Sequence, residues 1–159
     1  MKVIFLDVDG VLNSEPFLDK NKTETIDRNN VMKLKEAVDI TNAVIVMSSG
    51  WRLLFNDNML PESGDSQYLY DILCKFGIKL FEKTPDFSTD EIRINKTFSL
   101  VKALEILAWL DAHDQVENYV VLDDLDLNNG IIHAHQVRTN PQLGLTEEDA
   151  ARIISKLSF

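Results

Sequence analysis

The chain has little with which to staple itself together. Its 159 residues include one cysteine, Cys74, which excludes an internal disulfide framework and a cysteine-based zinc site and suits a cytoplasmic setting. Basic residues are also scarce. Sixteen lysines and arginines face 26 aspartates and glutamates, for a formal charge of -10. Strong nonspecific binding to nucleic acid is therefore not expected, although a local basic groove is not excluded. No apolar run approaches the roughly 20 residues of a membrane span, and the N-terminus lacks a signal-peptide pattern, so no membrane partner is expected. Internal repeats and low-complexity tracts are missing too. What remains is 45% apolar and 26% charged, ordinary for a globular protein, and the length fits a single domain over residues 1–159.

The most informative stretch is Lys2-Val3-Ile4-Phe5-Leu6-Asp7-Val8-Asp9-Gly10-Val11-Leu12-Asn13. An apolar, β-rich run too short for a helix leads into two aspartates spaced i, i+2, which reads as a buried strand with acids at its end. Carboxylates at the edge of a core call for a cation, because an unpaired buried charge is costly. Residues 13–30 then read as a long polar loop. From about Asn30, Val31, Leu34, Ala37 and Val38 recur at helical spacing, and the helix ends near Thr41 and Asn42.

A second apolar run, Ala43-Val44-Ile45-Val46-Met47, leads into Ser48-Ser49-Gly50-Trp51-Arg52. Residues 56–65 look like a loop. Residues 67–76 form a helix with Leu69, Ile72, Leu73 and Phe76 inward and Gly77 as C-cap. A short third strand follows over 78–81, then a polar connection over 84–95 and a strongly apolar helix over 100–110. Tyr119-Val120-Val121-Leu122 is a fourth strand ending in Asp123-Asp124, and a fifth lies near Gln136-Val137-Arg138. Thr146 and Asp149 open a last helix in the manner of a capping box. Cys74 is expected in the core, and His133 and His135 on one face of a strand. A zinc site there is not expected.

Strands that are continuous apolar runs, alternating with helices, predict an α/β fold: a central parallel sheet of about five strands between two helical layers. Ligands bind such sheets beyond the carboxyl ends of the strands. Asp7 and Asp9, Ser48 and Ser49, and Asp123 and Asp124 would converge there, together with a lysine from the helix before the fourth strand. So many carboxylates in a small space require a divalent cation, and oxygen-only ligands favour Mg²⁺ bridging to a substrate phosphate. Aspartate is also a nucleophile in phosphoryl transfer. Trp51-Arg52 could reach a substrate phosphate or could form a helix-surface pair.

Asp7-Val8-Asp9-Gly10-Val11-Leu12 resembles the first motif of the haloacid dehalogenase (HAD) superfamily of phosphohydrolases. Val46-Met47-Ser48 resembles its second motif and Val121-Leu122-Asp123-Asp124 its fourth. Lys102 is the choice for the third-motif lysine, with Lys96 as its rival. Ser48-Ser49-Gly50-Trp51-Arg52, residues 102–110 and Gly144-Leu145-Thr146 are also similar to the small HAD domains associated with RNA repair proteins.

The resemblance implies a Rossmann-like HAD fold and a set of roles. Asp7 would be nucleophile and metal ligand. Asp9 would be general acid and then base, with its backbone carbonyl on the metal. Ser48, with Ser49 and Arg52 near it, would bind phosphoryl oxygens, and Lys102 would neutralise charge on them. Asp124 would complete the metal shell with Asp123 beside it. Within that pattern Asp at position 9 favours phosphatase over dehalogenase chemistry, since a phosphate ester's leaving group needs a proton.

Neither segment where HAD enzymes insert a cap is long enough here for a sizeable one. The resemblance then implies an open site and large substrates, such as phosphorylated nucleic-acid ends, nucleotides or protein side chains. The alternatives are a receiver-like signalling domain and a catalytically silent phosphate-binding module. A receiver's phospho-accepting aspartate follows a middle strand, whereas here the middle strand is expected to be the one that ends in Ser48-Ser49.

Overall fold

Among residues 1–158, which the computed structural model describes, five strands form one parallel sheet. They are β1 (Lys2–Leu6), β2 (Val44–Met47), β3 (Leu80–Lys83), β4 (Asn118–Asp123) and β5 (Gln136–Arg138), in the order β3-β2-β1-β4-β5. The order reverses at β1, which is the central strand, so the middle strand ends at Asp7 and not, as expected, at Ser48-Ser49. A receiver domain instead has the order 2-1-3-4-5, so the receiver-like alternative does not fit this topology. The expected three-layer, Rossmann-like α/β arrangement is the one observed.

The apolar runs are continuous because both faces of the sheet are covered. Ile4 and Leu6 of β1 and Ile45 and Met47 of β2 pack in the larger core with α2 (Arg28–Thr41), α3 (Gly64–Lys75) and α7 (Glu147–Leu157). Val3 and Phe5 of β1, Val46 of β2 and Val121 of β4 face the other way. There α5 (Ser99–Asp111) brings Ala103, Ile106 and Trp109 against them. Trp109 meets Phe5 edge-on with ring centroids 5.4 Å apart. No helix among the described residues is long and apolar enough to cross a membrane.

Several local expectations are corrected. The 13–30 stretch contains a helix, α1 (Glu15–Lys20), whose N-cap Ser14 accepts from the Phe17 N–H and whose first turn holds Pro16. It buries no residue, so it leaves no hydrophobic periodicity to read. The 84–95 connection likewise contains α4 (Asp90–Asn95), capped by Thr89 and opened by Asp90 and Glu91. The third strand lies two residues further on than 78–81. Ile78 is instead buried in the turn that closes α3, where its N–H bonds Leu73 O at 2.9 Å.

Cys74 is exposed rather than packed: Leu69, Ile72 and Leu73 form the buried face of α3, and the next residue turns outward. His133 ends a short helix, α6 (Gly130–His133), while His135 stacks on Tyr119 with centroids 4.0 Å apart. The two histidines therefore do not share a strand face.

The loop after β1 is clamped from several sides. Val11 O accepts from Asn30 Nδ2 at 3.0 Å and from Leu145 N at 2.9 Å, and Thr139 Oγ1 donates to Gly10 O at 2.7 Å. The clamp is close enough to need a glycine. Gly144 has φ +65°, and a Cβ there would lie 2.4 Å from Asn30 Nδ2 and 2.7 Å from Asn13 O. Gly144→Ala is expected to cost about 1–3 kcal/mol, through left-handed strain plus the backbone clash. Thermal unfolding of the variant checks this, and an unchanged Tm would remove the argument.

Candidate active site

Sheet register brings the site residues level. Leu6 pairs with Met47 on one side and Leu122 on the other. The next residue of each strand, Asp7, Ser48 and Asp123, therefore arrives at the same carboxyl edge. The ladder continues through them, with Asp7 N to Leu122 O at 2.9 Å and Ser48 N to Leu6 O at 3.0 Å. Side chains alternate along a strand, so Asp7 points to the face of Val3 and Phe5, the face that α5 covers. From that helix Lys102 reaches over with Nζ 2.7 Å from Asp123 Oδ2 and 3.1 Å from Asp7 Oδ1. Lys96, the rival lysine, is the exposed left-handed C-cap of α4.

Carboxylate oxygens of Asp7, Asp123 and Asp124 all lie within 4.8 Å of one another. One ammonium thus serves three acids, and the site carries excess negative charge. Burial, then the Asp123 charge, pushes the Asp7 carboxyl up to about 6 despite Lys102 beside it. Burial also raises Asp123 and Asp124 above the usual carboxylate range. Burial alone would lower Lys102, but the Asp7 and Asp123 charges hold it well above its ordinary value.

The donor set fits a hard divalent cation such as Mg²⁺, being all oxygen and short of positive charge. Gly10 makes room for the Asp124 carboxylate: with φ +79°, a Cβ at that position would fall 2.5 Å from Asp124 Oδ2. Both oxygens of Asp123 are engaged, one by Lys102 and the other by the Leu125 N–H at 2.9 Å. Asp124, half-buried, keeps the freer carboxylate.

Ser48 and Ser49 divide sharply. The Ser49 hydroxyl caps a 3₁₀ turn (Gly50–Leu54) by accepting from Trp51 N at 3.2 Å. Ser48 Oγ is buried and has no hydrogen-bond partner among the described residues. The Thr84 and Tyr68 hydroxyls are in the same state, but of the three only Ser48 adjoins Asp7 in the sheet.

Arg52, expected among substrate-binding residues, is 5% exposed and committed to protein acceptors. It donates to Ser49 O, Thr84 O and Pro85 O, and its Nη2 lies 2.7 Å from Glu105 Oε2. It braces the wall of the site and lines its pocket, and its burial excludes a helix-surface pair with Trp51.

Asp9 stands apart from the other acids. Its side chain is exposed, takes Asn13 Nδ2 on Oδ1 at 2.9 Å and Trp51 Nε1 on Oδ2 at 3.0 Å, and does not join the three-carboxylate cluster. A pocket of about 420 Å³ opens between these groups, lined by Asp7, Asp9 and Lys102 and walled by Trp51, Leu53 and Phe98. Glu105 and Asn13 escaped the sequence reading. Glu105 also accepts from the Phe87 N–H at 2.8 Å. One signal for it existed: Lys102 and Glu105 are the two charges inside the most apolar helix, one turn apart.

A 3-2-1-4-5 parallel sheet with acids ending its first and fourth strands, and a lysine reaching in between them, defines a HAD-type hydrolase domain. A family model described as the HAD domain in Swiss Army Knife RNA repair proteins matches residues 3–150, and the chain belongs to that family. No curated protein and no solved structure matches the chain.

The charge excess has a stability consequence. Asp7 binds its proton more tightly in the folded chain than in the unfolded one. Its contribution to stability is therefore present at low pH and is lost as pH rises from about 4 through about 6. In EDTA, Asp7→Asn is expected to be more stable than the wild type at pH 7, by about 1–3 kcal/mol, and to show no advantage at pH 4. Thermal unfolding at both pH values measures the difference. A less stable variant at pH 7 would contradict the assignment.

Proposed function

We propose that the protein is a Mg²⁺-dependent phosphomonoester hydrolase working through an aspartyl-phosphate on Asp7. The observation that supports it best is the cluster of three carboxylates with one ammonium, Lys102, which pairs with only two of them. Such a cluster suits a dianionic substrate delivered together with a cation, and the unpartnered Ser48 hydroxyl beside it suits a phosphoryl oxygen. Asp7 and Asp124 would hold the Mg²⁺, with Asp123 beside them and the Asp9 backbone carbonyl contributing by resemblance. When bound, the ion supplies positive charge against the phosphoryl oxygens.

The chain's own groups then do the following. An Asp7 oxygen bonds to phosphorus as the bond to the ester oxygen breaks, and Asp9 protonates that departing oxygen. Lys102 and Ser48 hold the phosphoryl oxygens during transfer. Asp9, now a carboxylate, takes a proton from water as the water oxygen attacks phosphorus. Asp7 is released along with inorganic phosphate.

For substrate, we favour a phosphorylated nucleic-acid end or nucleotide, and a cytoplasmic setting. The two candidate cap segments support an open site: α2 and α3 within them pack on the sheet, and beyond these they add only α1 and α4, six residues each. The family's association with RNA repair supports the same class. A protein carrying phosphate without turnover is the remaining alternative.

With Mg²⁺ the wild type is expected to hydrolyse an aryl phosphate, and EDTA to abolish the reaction. Asp7→Asn is expected to lower kcat by at least about a hundredfold. Normal turnover by that variant would sink the mechanism. In a substrate panel, phosphorylated oligonucleotides or nucleotides are expected to give a higher kcat/KM than small sugar phosphates. The reverse ranking would overturn the substrate class.

A further inference from the structure

An exposed carboxylate normally turns freely in water. Asp9 does not, because each of its oxygens accepts from a different segment of the chain. Asn13 is fully buried, and its amide orientation is dictated by its neighbours. Oδ1 accepts from Gly10 N at 2.9 Å, which leaves Nδ2 to donate to Thr25 O at 2.8 Å and to Asp9 Oδ1. Trp51 is held just as firmly. Its backbone N–H is capped by Ser49, and the next residue, Arg52, ties the turn to Glu105, Thr84 O and Pro85 O. The indole N–H therefore meets Asp9 Oδ2 at 3.0 Å from a braced wall of the same pocket that Asp7 and Lys102 line.

We propose that Trp51 is a positioning residue, which together with Asn13 sets the Asp9 carboxyl group for proton transfer to and from the reacting oxygens. The proposal rests on the phosphatase reading given above. In the first step the proton moves from Asp9 to the ester oxygen while the Asp7–phosphorus bond forms, so negative charge develops on Asp9. Two fixed N–H donors stabilise that developing charge without having to reorganise. In the second step the same two bonds hold the Asp9 carboxylate while it takes a proton from the attacking water.

This role predicts dependence on the leaving group. An alkyl phosphate needs its departing oxygen protonated, whereas p-nitrophenyl phosphate expels a stable anion and barely needs the proton. Trp51→Phe keeps an aromatic wall and removes the donor. With Mg²⁺, its kcat/KM, which reports the first phosphoryl transfer and not the shared water step, is expected to fall about tenfold or more on an alkyl phosphate and by less than about threefold on p-nitrophenyl phosphate. In an Asp9→Asn background the same substitution should produce no further loss, because its effect runs through Asp9.

Where Trp51→Phe disturbs folding, benzothienylalanine at position 51 keeps the bicyclic shape without the N–H and should give the same split. Equal losses of kcat/KM on both esters, or full additivity with Asp9→Asn, would overturn the positioning role. Those outcomes would leave the phosphatase reading standing. A wild type that hydrolyses neither ester removes that reading and this proposal with it.

Discussion

Everything at the carboxyl edge of the sheet depends on Lys102. Its ammonium lies between Asp7 and Asp123, two carboxylates on neighbouring strands that would otherwise repel each other in a buried setting. A buried ion pair of this kind is weak evidence for stability, because desolvation of the charges offsets their attraction. Its effect is organisational. It ties α5 to the edge of the sheet, and it leaves the acids with more negative charge than the lysine can balance.

The same helix braces the opposite side of the pocket. One turn beyond Lys102, Glu105 is buried and accepts from Arg52 and from the Phe87 N–H. Arg52 in turn holds the carbonyls of Ser49, Thr84 and Pro85. A single face of α5 thus carries one charge into the acid cluster and another into the wall, and the apolar contacts of Ala103, Ile106 and Trp109 keep that face in register. The turn braced in this way presents Ser48 unpartnered and Trp51 against Asp9. Packing on one face of α5 therefore reaches both sides of the pocket.

Much of this was legible in the residues because the strongest signals are local. Strands buried on both faces must be apolar without interruption, so their ends are marked wherever a polar residue first appears, at Asp7, Ser48 and Asp123. What stayed illegible has a common cause. α1 and α4 are short helices that bury no residue, so their capping leaves no periodic trace. Arg52 has the look of a substrate-facing or surface cation in the sequence because, Ser49 O apart, its acceptors come from segments more than 30 residues away in the chain. Cys74 and the two histidines were misplaced by a single rotational step or one mistaken element, which pattern alone does not resolve.

The sequence by itself determined the parallel α/β fold and the edge at which the acids gather, since both follow from apolar runs and where they end, and its motifs carried the resemblance to the family. Tertiary structure decided which lysine meets Asp7, which serine keeps a free hydroxyl, and where the Asp9 side chain is held. Those three depend on how a helix is rotated and docked, and on hydrogen bonds between segments that the chain brings together only when it folds.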